Sequence, residues 1–193
     1  MPNMIPFLSY VFVTTFTPGP NNIMSMVNAK NFGFKKTCRF ILGVTSGFLV
    51  IMLLSSYFNL MLFHLTPKIK GVMGILGAAY MVYLAIKIIT SKPEAKKDKA
   101  VNSYIAGMIL QFINPKVIFY GITAISTFVV PYYRSNGSLV LFSLFLAFVG
   151  FLSTSCWAYF GSVMQHYLNK YHKPFNWCMS ILLLYSAISI LFH

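Results

Sequence analysis

Acidic residues are nearly absent from this chain: its 193 residues hold only Glu94 and Asp98 against 15 Lys and Arg, and charged side chains make up 9% of it. A soluble domain of this length needs far more charged surface, because only part of it can be core, so that class is excluded. Neither acid falls in an apolar run, which leaves no counter-charge at depth for a strongly cationic ligand. Cysteine is scarce too. Cys38, Cys156 and Cys178 have no metal-ligand spacing and no obvious pairing, and read as free thiols. His64, His166, His172 and His193 lie near the ends of apolar runs, there is no HExxH, and no serine at depth has a histidine partner. With no carboxylate pair either, acid–base catalysis lacks its usual groups, so no enzyme activity, metal or cofactor is expected.

What the chain has in quantity is apolar residues, 58% of the total, with a mean hydropathy of +0.72. They gather in runs of about 18 or more residues with short polar breaks, the signature of an integral membrane protein. Six candidate spans cover about residues 5–28, 40–63, 71–89, 103–130, 138–165 and 175–192. The runs are too long for barrel strands and do not alternate, so the expected fold is an all-α membrane protein with six transmembrane helices in the lipid bilayer. The first run has no basic region before it and no small-residue cleavage pattern after it. It is expected to be a retained span and not a signal peptide.

The net charge of +13 is unevenly placed. Loops after the first, third and fifth spans hold eleven cations: Lys30, Lys35, Lys36, Arg39, Lys87, Lys92, Lys96, Lys97, Lys99, Lys170 and Lys173. The opposite side holds three, Lys68, Lys70 and Arg134. Cations in short loops between spans point to the positive-inside bias, not to nucleic acid, and put both termini outside the cytoplasm. The stretch SKPEAKKDK (91–99) reads as a linker in which Glu94 and Asp98 are solvated. Residues 1–90 then form a first three-helix repeat, 91–102 a cytoplasmic linker and 103–193 a second repeat. Small residues at packing intervals (Gly43 and Gly47, then Gly71, Gly74 and Ala78) are expected to bring helices close, as are Gly150, Thr154, Trp157 and Gly161 along one side of the fifth span.

Two spans carry residues that oppose helix. In TFTPGPNNIMSM (15–26), Pro18 cannot donate to the Thr14 carbonyl, nor Pro20 to that of Phe16, and Gly19 between them lets the backbone leave helical geometry. Pro20 suits the first position of a new half-helix. The fourth span repeats the design in LQFINPKVIFYG (110–121), where Asn114 can cap a half-helix that begins at Pro115. Upstream, Gly107, Gln111 and Asn114 share one face; downstream, Lys116, Tyr120, Thr123 and Thr127 share another. Both faces turn toward one cavity only if the helix is broken.

Each motif lies in the first helix of a three-helix half, and three is odd, so the two halves are expected to be inverted. Broken helices at matching positions of inverted halves point to a transporter's binding site. Two electropositive helix starts and Lys116, an ionisable residue far from either end of its span, suit an anionic group such as a carboxylate. The carbonyls of Thr14, Phe16 and Gln111 and the amides of Asn21, Asn22, Gln111 and Asn114 are left to accept from one ammonium. Small neutral amino acids fit this inventory better than lysine or arginine. A passive pore is the alternative, although one lysine per chain makes a charged ring only by oligomerisation, and a homo-oligomer stays open.

At these residues the chain resembles the LysE/RhtB superfamily of bacterial amino-acid exporters, along essentially its whole length. The likeness rests on TPGPNN (17–22), the Gly-Phe and basic residues within 32–39, LGVTSG (42–47), GAAYMVYLAIK (77–87) and QFINPK (111–116). LYSAISILF (184–192), SCWAYFG (155–161) and FYGITAISTFVVP (119–131) are most similar to its cysteine and O-acetylserine exporter branch. The resemblance implies efflux across the bacterial cytoplasmic membrane, with motif positions at Pro18, Gly19, Pro20, Asn21, Asn22, Asn114, Pro115 and Lys116. Many members carry Asp straight after the glycine of the second helix, where this chain has Phe48, so no coupling through that carboxylate carries over.

Overall fold

The computed structural model describes residues 4–57, 67–91 and 102–191. Most of the expected linker, with Glu94 and Asp98, lies outside them. The described residues are helical: α1 (Met4–Phe16), α2 (Pro20–Phe32), α3 (Phe34–Tyr57), α4 (Pro67–Ile89), α5 (Tyr104–Ile113), α6 (Pro115–Thr123), α7 (Asn136–Val163), α8 (Gln165–Lys170) and α9 (His172–Leu191). Beyond α6 the chain runs on as a π-helical turn over Ala124–Val129, where the Val130 N–H reaches back to the Ile125 carbonyl at 2.9 Å.

Both expected interruptions are present. After Phe16 the chain leaves helical geometry, Gly19 is extended (φ −173°, ψ 175°), and Pro20 opens α2. Asn114 (φ −86°, ψ 101°) separates α5 from α6, accepts the Lys116 backbone N–H on its side chain, and is followed by Pro115 at the first helical position. The chain bends by 64° there. Cause and effect are local in both cases: proline removes a donor, and the residue before it is pushed out of helical geometry.

Among the described residues α3 and α7 are the single helices long and apolar enough to cross a membrane, and the bent pair Tyr104–Ile113 with Pro115–Val129 makes a third span if counted as one. Met4–Phe16 and Ile75–Ile89 are shorter apolar helices, and α2 contains Asn21, Asn22, Asn28 and Lys30. The chain is a largely membrane-spanning helical bundle. Its outer face agrees: Ile75, Leu76, Tyr83 and Ile86 of α4 and Trp177, Ile181 and Tyr185 of α9 are exposed, an apolar surface that suits lipid.

In the interior α3 packs on α5 and α7, α2 on α7, and α4 on α9. Two large apolar clusters result, beside a small third one around Ala29, Ile41 and Ala158. One joins Ile23 and Met26 of α2 with Phe40 and Val44 of α3, Met81 of α4, Leu110 of α5 and Leu183 of α9. The other joins Phe7 and Val11 of α1 with Phe48 and Met52 of α3, Tyr120 and Ile125 of the α6 segment and Leu146 of α7. Glycines let backbones touch: a β-carbon at Gly43 would strike the Tyr104 carbonyl, one at Gly107 the Phe40 carbonyl, and one at Gly161 the Met26 carbonyl.

Lys30 departs from its expected place in a solvated loop. It sits in the last turn of α2 and is 4% exposed, because Nζ reaches Asn176 Oδ1 (3.3 Å) and lies 4.3 Å from the centre of the Phe175 ring. Asn176 Nδ2 in turn donates to Ser91 Oγ at 3.0 Å, so the ends of α2, α4 and α9 are tied together.

Gly107→Val should lower stability by about 3 kcal/mol or more, because the obstacle is backbone and cannot rotate away. Gly137→Ala, where a β-carbon meets nothing within 4 Å, should change it by less than about 0.5 kcal/mol. Unfolding of the purified variants in mixed detergent micelles measures both.

Candidate functional site

The end of α1 sets the problem that the site solves. Carbonyls at a helix C-terminus have no intrahelical donor, and in apolar surroundings each must find one elsewhere. Four consecutive carbonyls here are met by side chains from four other helices. Asn22 Nδ2 of α2 donates to Thr15 O (2.9 Å) and Thr17 O (3.1 Å). Trp157 Nε1 of α7 donates to Phe16 O at 3.3 Å. Ser186 Oγ of α9 lies 3.2 Å from Pro18 O and 2.9 Å from the Leu182 carbonyl of its own helix, and its one proton is shared between them. Lys116 Nζ of α6 donates to Thr17 O (3.0 Å) and more weakly to Pro18 O (3.4 Å). Ser153 Oγ lies 3.0 Å from Thr15 O and 3.2 Å from Asn22 Oδ1, and its one proton serves them in turn.

The second interruption is joined to the first through amides. Asn21 Oδ1 accepts from Gln111 Nε2 (3.0 Å) and Asn114 Nδ2 (3.1 Å), while Asn21 Nδ2 donates to Gln111 Oε1 (2.7 Å). Gly19 lies close to the lysine: a β-carbon there would sit 3.2 Å from both Cδ and Nζ of Lys116, whose end would have to shift by a few tenths of an ångström. The lysine charge thus lies against the carbonyl end of α1, where the helix dipole is negative, and no acid occurs among the described residues.

Between the two apolar clusters these groups border a cavity with an empty volume of about 470 Å³, part of it open to the surroundings. The first turns of α2 and α6 line it with Gly19, Pro20, Asn21 and Asn22 and with Asn114, Lys116 and Val117. Thr14 and Thr15 of α1, Val44, Thr45 and Phe48 of α3, Tyr120 of α6, and Gly150 and Thr154 of α7 complete it. Six of the nine residues singled out from the sequence therefore share one lining: Gly19, Pro20, Asn21, Asn22, Asn114 and Lys116. Gln111 does not. It is fully buried behind Asn21, with Nε2 also on the Gly107 carbonyl at 3.0 Å. Pro18 and Pro115 are outside the lining, and Pro115 fills the space that Gly77 leaves.

Some expectations need correction. The Phe16 and Gln111 carbonyls are engaged, the first by Trp157 and the second by the Asn114 backbone N–H at 3.3 Å, which leaves the Thr14 carbonyl as the one that Pro18 deprives of its helical donor. Gly150 and Thr154 border the cavity; a β-carbon at Gly150 would meet only the Phe48 ring, at an ordinary 3.6 Å. Thr123 and Thr127 are exposed, whereas Tyr120 faces inward. Tyr120 was legible from the face it shares with Lys116, and Thr15 only as a neighbour of the first motif. Ser153, Trp157 and Ser186 gave no sign, since their role depends on a carbonyl far away in sequence.

A family model described as LysE type translocator matches residues 12–193, nearly the whole chain. The chain belongs to this family. The translocator is 38% identical over 185 residues to a cysteine/O-acetylserine efflux protein of Klebsiella pneumoniae, covering 95% of this chain and 94% of the relative. It is 37% identical over 188 residues to a protein of the same description from Escherichia coli strain K12, covering 96% of each. No solved structure matches it. Membership gives the translocator a transport role and not a catalytic one. Cys38, Cys156 and Cys178 are free thiols, and no cluster of three or more His, Cys, Asp or Glu occurs among the described residues.

Trp157→Phe leaves the Phe16 carbonyl without its donor and should cost about 1–3 kcal/mol. The exposed Trp177→Phe should cost less than about 0.5 kcal/mol. Since these are the chain's 2 tryptophans, each variant's remaining indole fluorescence reports its own unfolding midpoint.

Proposed function

We propose that the translocator is a secondary exporter of small neutral amino acids or their derivatives, cysteine and O-acetylserine foremost, working by alternating access across the bacterial cytoplasmic membrane. The observation that carries this reading is the shared lining: the first turns of two half-helices and one lysine border a single cavity, and no acid is present among the described residues. The α2 start, which no side chain caps, offers free N–H groups to an anion, whereas at α6 Pro115 has none and the Lys116 N–H is taken by Asn114. Lys116 has three protons, of which two go to the Thr17 and Pro18 carbonyls, leaving one for a substrate carboxylate. The Thr14 carbonyl, deprived of a donor by Pro18, accepts from the substrate ammonium. Asn21, Asn22 and Asn114 orient the ligand at the rim, and Gln111 holds Asn21 in place. A substrate with a second, side-chain cation meets no counter-charge, which disfavours lysine and arginine. The names of the two efflux relatives point the same way.

The topology in this reading is six spans in two inverted three-helix halves. Support comes from how helices pair. Exchanging the halves maps the packing of the first broken span (α1 with α2) on α7 onto that of the second (α5 with α6) on α3, and maps α4 with α9 and α3 with α7 onto themselves. Inverted halves around a midplane site are the architecture of many carriers, and their rocking exposes the site to each side in turn. The eleven-to-three cation asymmetry orients both termini outward.

Proteoliposomes loaded with unlabelled cysteine or O-acetylserine should show saturable counterflow of the labelled compound, with lysine and arginine ineffective. Current that rises linearly with voltage and never saturates would replace the carrier by a pore. Lys116→Ala should reduce counterflow to the level of protein-free vesicles while the variant still inserts; normal transport by inserted protein removes Lys116 from the mechanism.

A further inference from the structure

Buried hydroxyls in this molecule are generally paired. Ser56 and Ser143 bond each other at 3.0 Å, Ser180 donates to the Ala85 carbonyl at 2.8 Å, and Thr154 to that of Gly150 at 2.9 Å. Of the four buried side-chain polar atoms with no partner among the described residues, two belong to the cavity: Thr15 Oγ1 and Tyr120 Oη. They lie close to one another, and neither makes a well-formed hydrogen bond with any described residue. An unpaired hydroxyl in apolar surroundings is unfavourable, so a pair of them at one place in a ligand cavity calls for an occupant.

The position of the tyrosine hydroxyl is fixed. Its ring stacks on Tyr10 (centroids 5.8 Å apart, planes at 7°) and leans on Phe48 at 5.7 Å, and the residue is 4% exposed. Tyr120 lies one turn beyond Lys116 on α6, an axial step of about 6 Å. A short side chain together with its hydrogen bond covers that step when the carboxylate is held at the lysine end. Phe48 and Val117 make the walls apolar.

We propose that Tyr120 Oη and Thr15 Oγ1 form a side-chain subsite that selects amino acids carrying a hydrogen-bonding atom near Cβ, such as a hydroxyl, thiol or ester oxygen, over alkyl isosteres. The subsite rests on the transport reading above and names what that reading leaves open. Each hydroxyl can donate or accept, so the pair suits a group that does either. A site that loses a hydrogen bond to its ligand discriminates far more sharply than one that only measures size.

The test is competition for counterflow by serine and by 2-aminobutyrate, which differ by a hydroxyl in place of a methyl. The wild-type protein should prefer serine, and Tyr120→Phe and Thr15→Val should each lower the serine to 2-aminobutyrate affinity ratio by about tenfold or more. The unfolding midpoint of Tyr120→Phe should be no lower than that of the wild type, because the hydroxyl has no partner to lose. An unchanged ratio in both variants, with both amino acids still exchanged, overturns the subsite and leaves the transport reading standing. A lowered midpoint also overturns it, by making the hydroxyl a structural group. Absence of any saturable counterflow in the wild type removes the transport reading, and the subsite with it.

Discussion

A peptide carbonyl shielded from water must have a donor, and the end of α1 and the break after it hold four that no helical backbone N–H serves. Much of the interior follows from that need. Because Pro20 cannot donate and the extended backbone at Gly19 breaks the helical ladder, the carbonyls of residues 15–18 draw side chains from α2, α6, α7 and α9 to one point. A kink alone would not gather four helices. The same carbonyls hold the Lys116 ammonium, which explains how a cation persists in a bundle whose described residues include no acid. Its compensation is dipolar: two carbonyl oxygens and the negative end of a helix.

The interruptions were legible because their causes lie within a few residues. Proline, glycine and a capping asparagine act on the backbone beside them, and the phase difference between Asn114 and Lys116 already required a break. The apolar runs of α3 and α7 were equally plain. The partners of the freed carbonyls were not, since Ser153, Trp157 and Ser186 lie 138, 141 and 168 positions from the residues they serve. A tryptophan on a packing stripe gives no local sign that its indole nitrogen matters. Lys30 misled for a related reason. A lysine near a span end normally reaches water, and only the approach of α9 covers this one with Asn176 and Phe175.

The cavity lies on a seam. Val44 belongs to one apolar cluster, while Phe48, Val117 and Tyr120 belong to the other. Any shift of one cluster against the other therefore alters the lining, and the amides of Asn21, Gln111 and Asn114 span the same boundary. Position 48 matters here as a wall. Its ring lies beside Gly150 of α7 and bears on Tyr120, so an aromatic residue there shapes volume where an acid would supply charge.

The π-helical turn at Ala124–Val129 holds one residue more than an α-helix needs for the same turn. Removing a single residue from within it returns the bond from i+5 to i+4 and keeps Val130 to Arg134 in their present angular phase. A similar deletion in the middle of α3 rotates everything beyond it by about 100° and misaligns both clusters. Length variation by one residue is thus absorbed at this turn, which marks it as the place where related chains can differ in register and still close the same bundle.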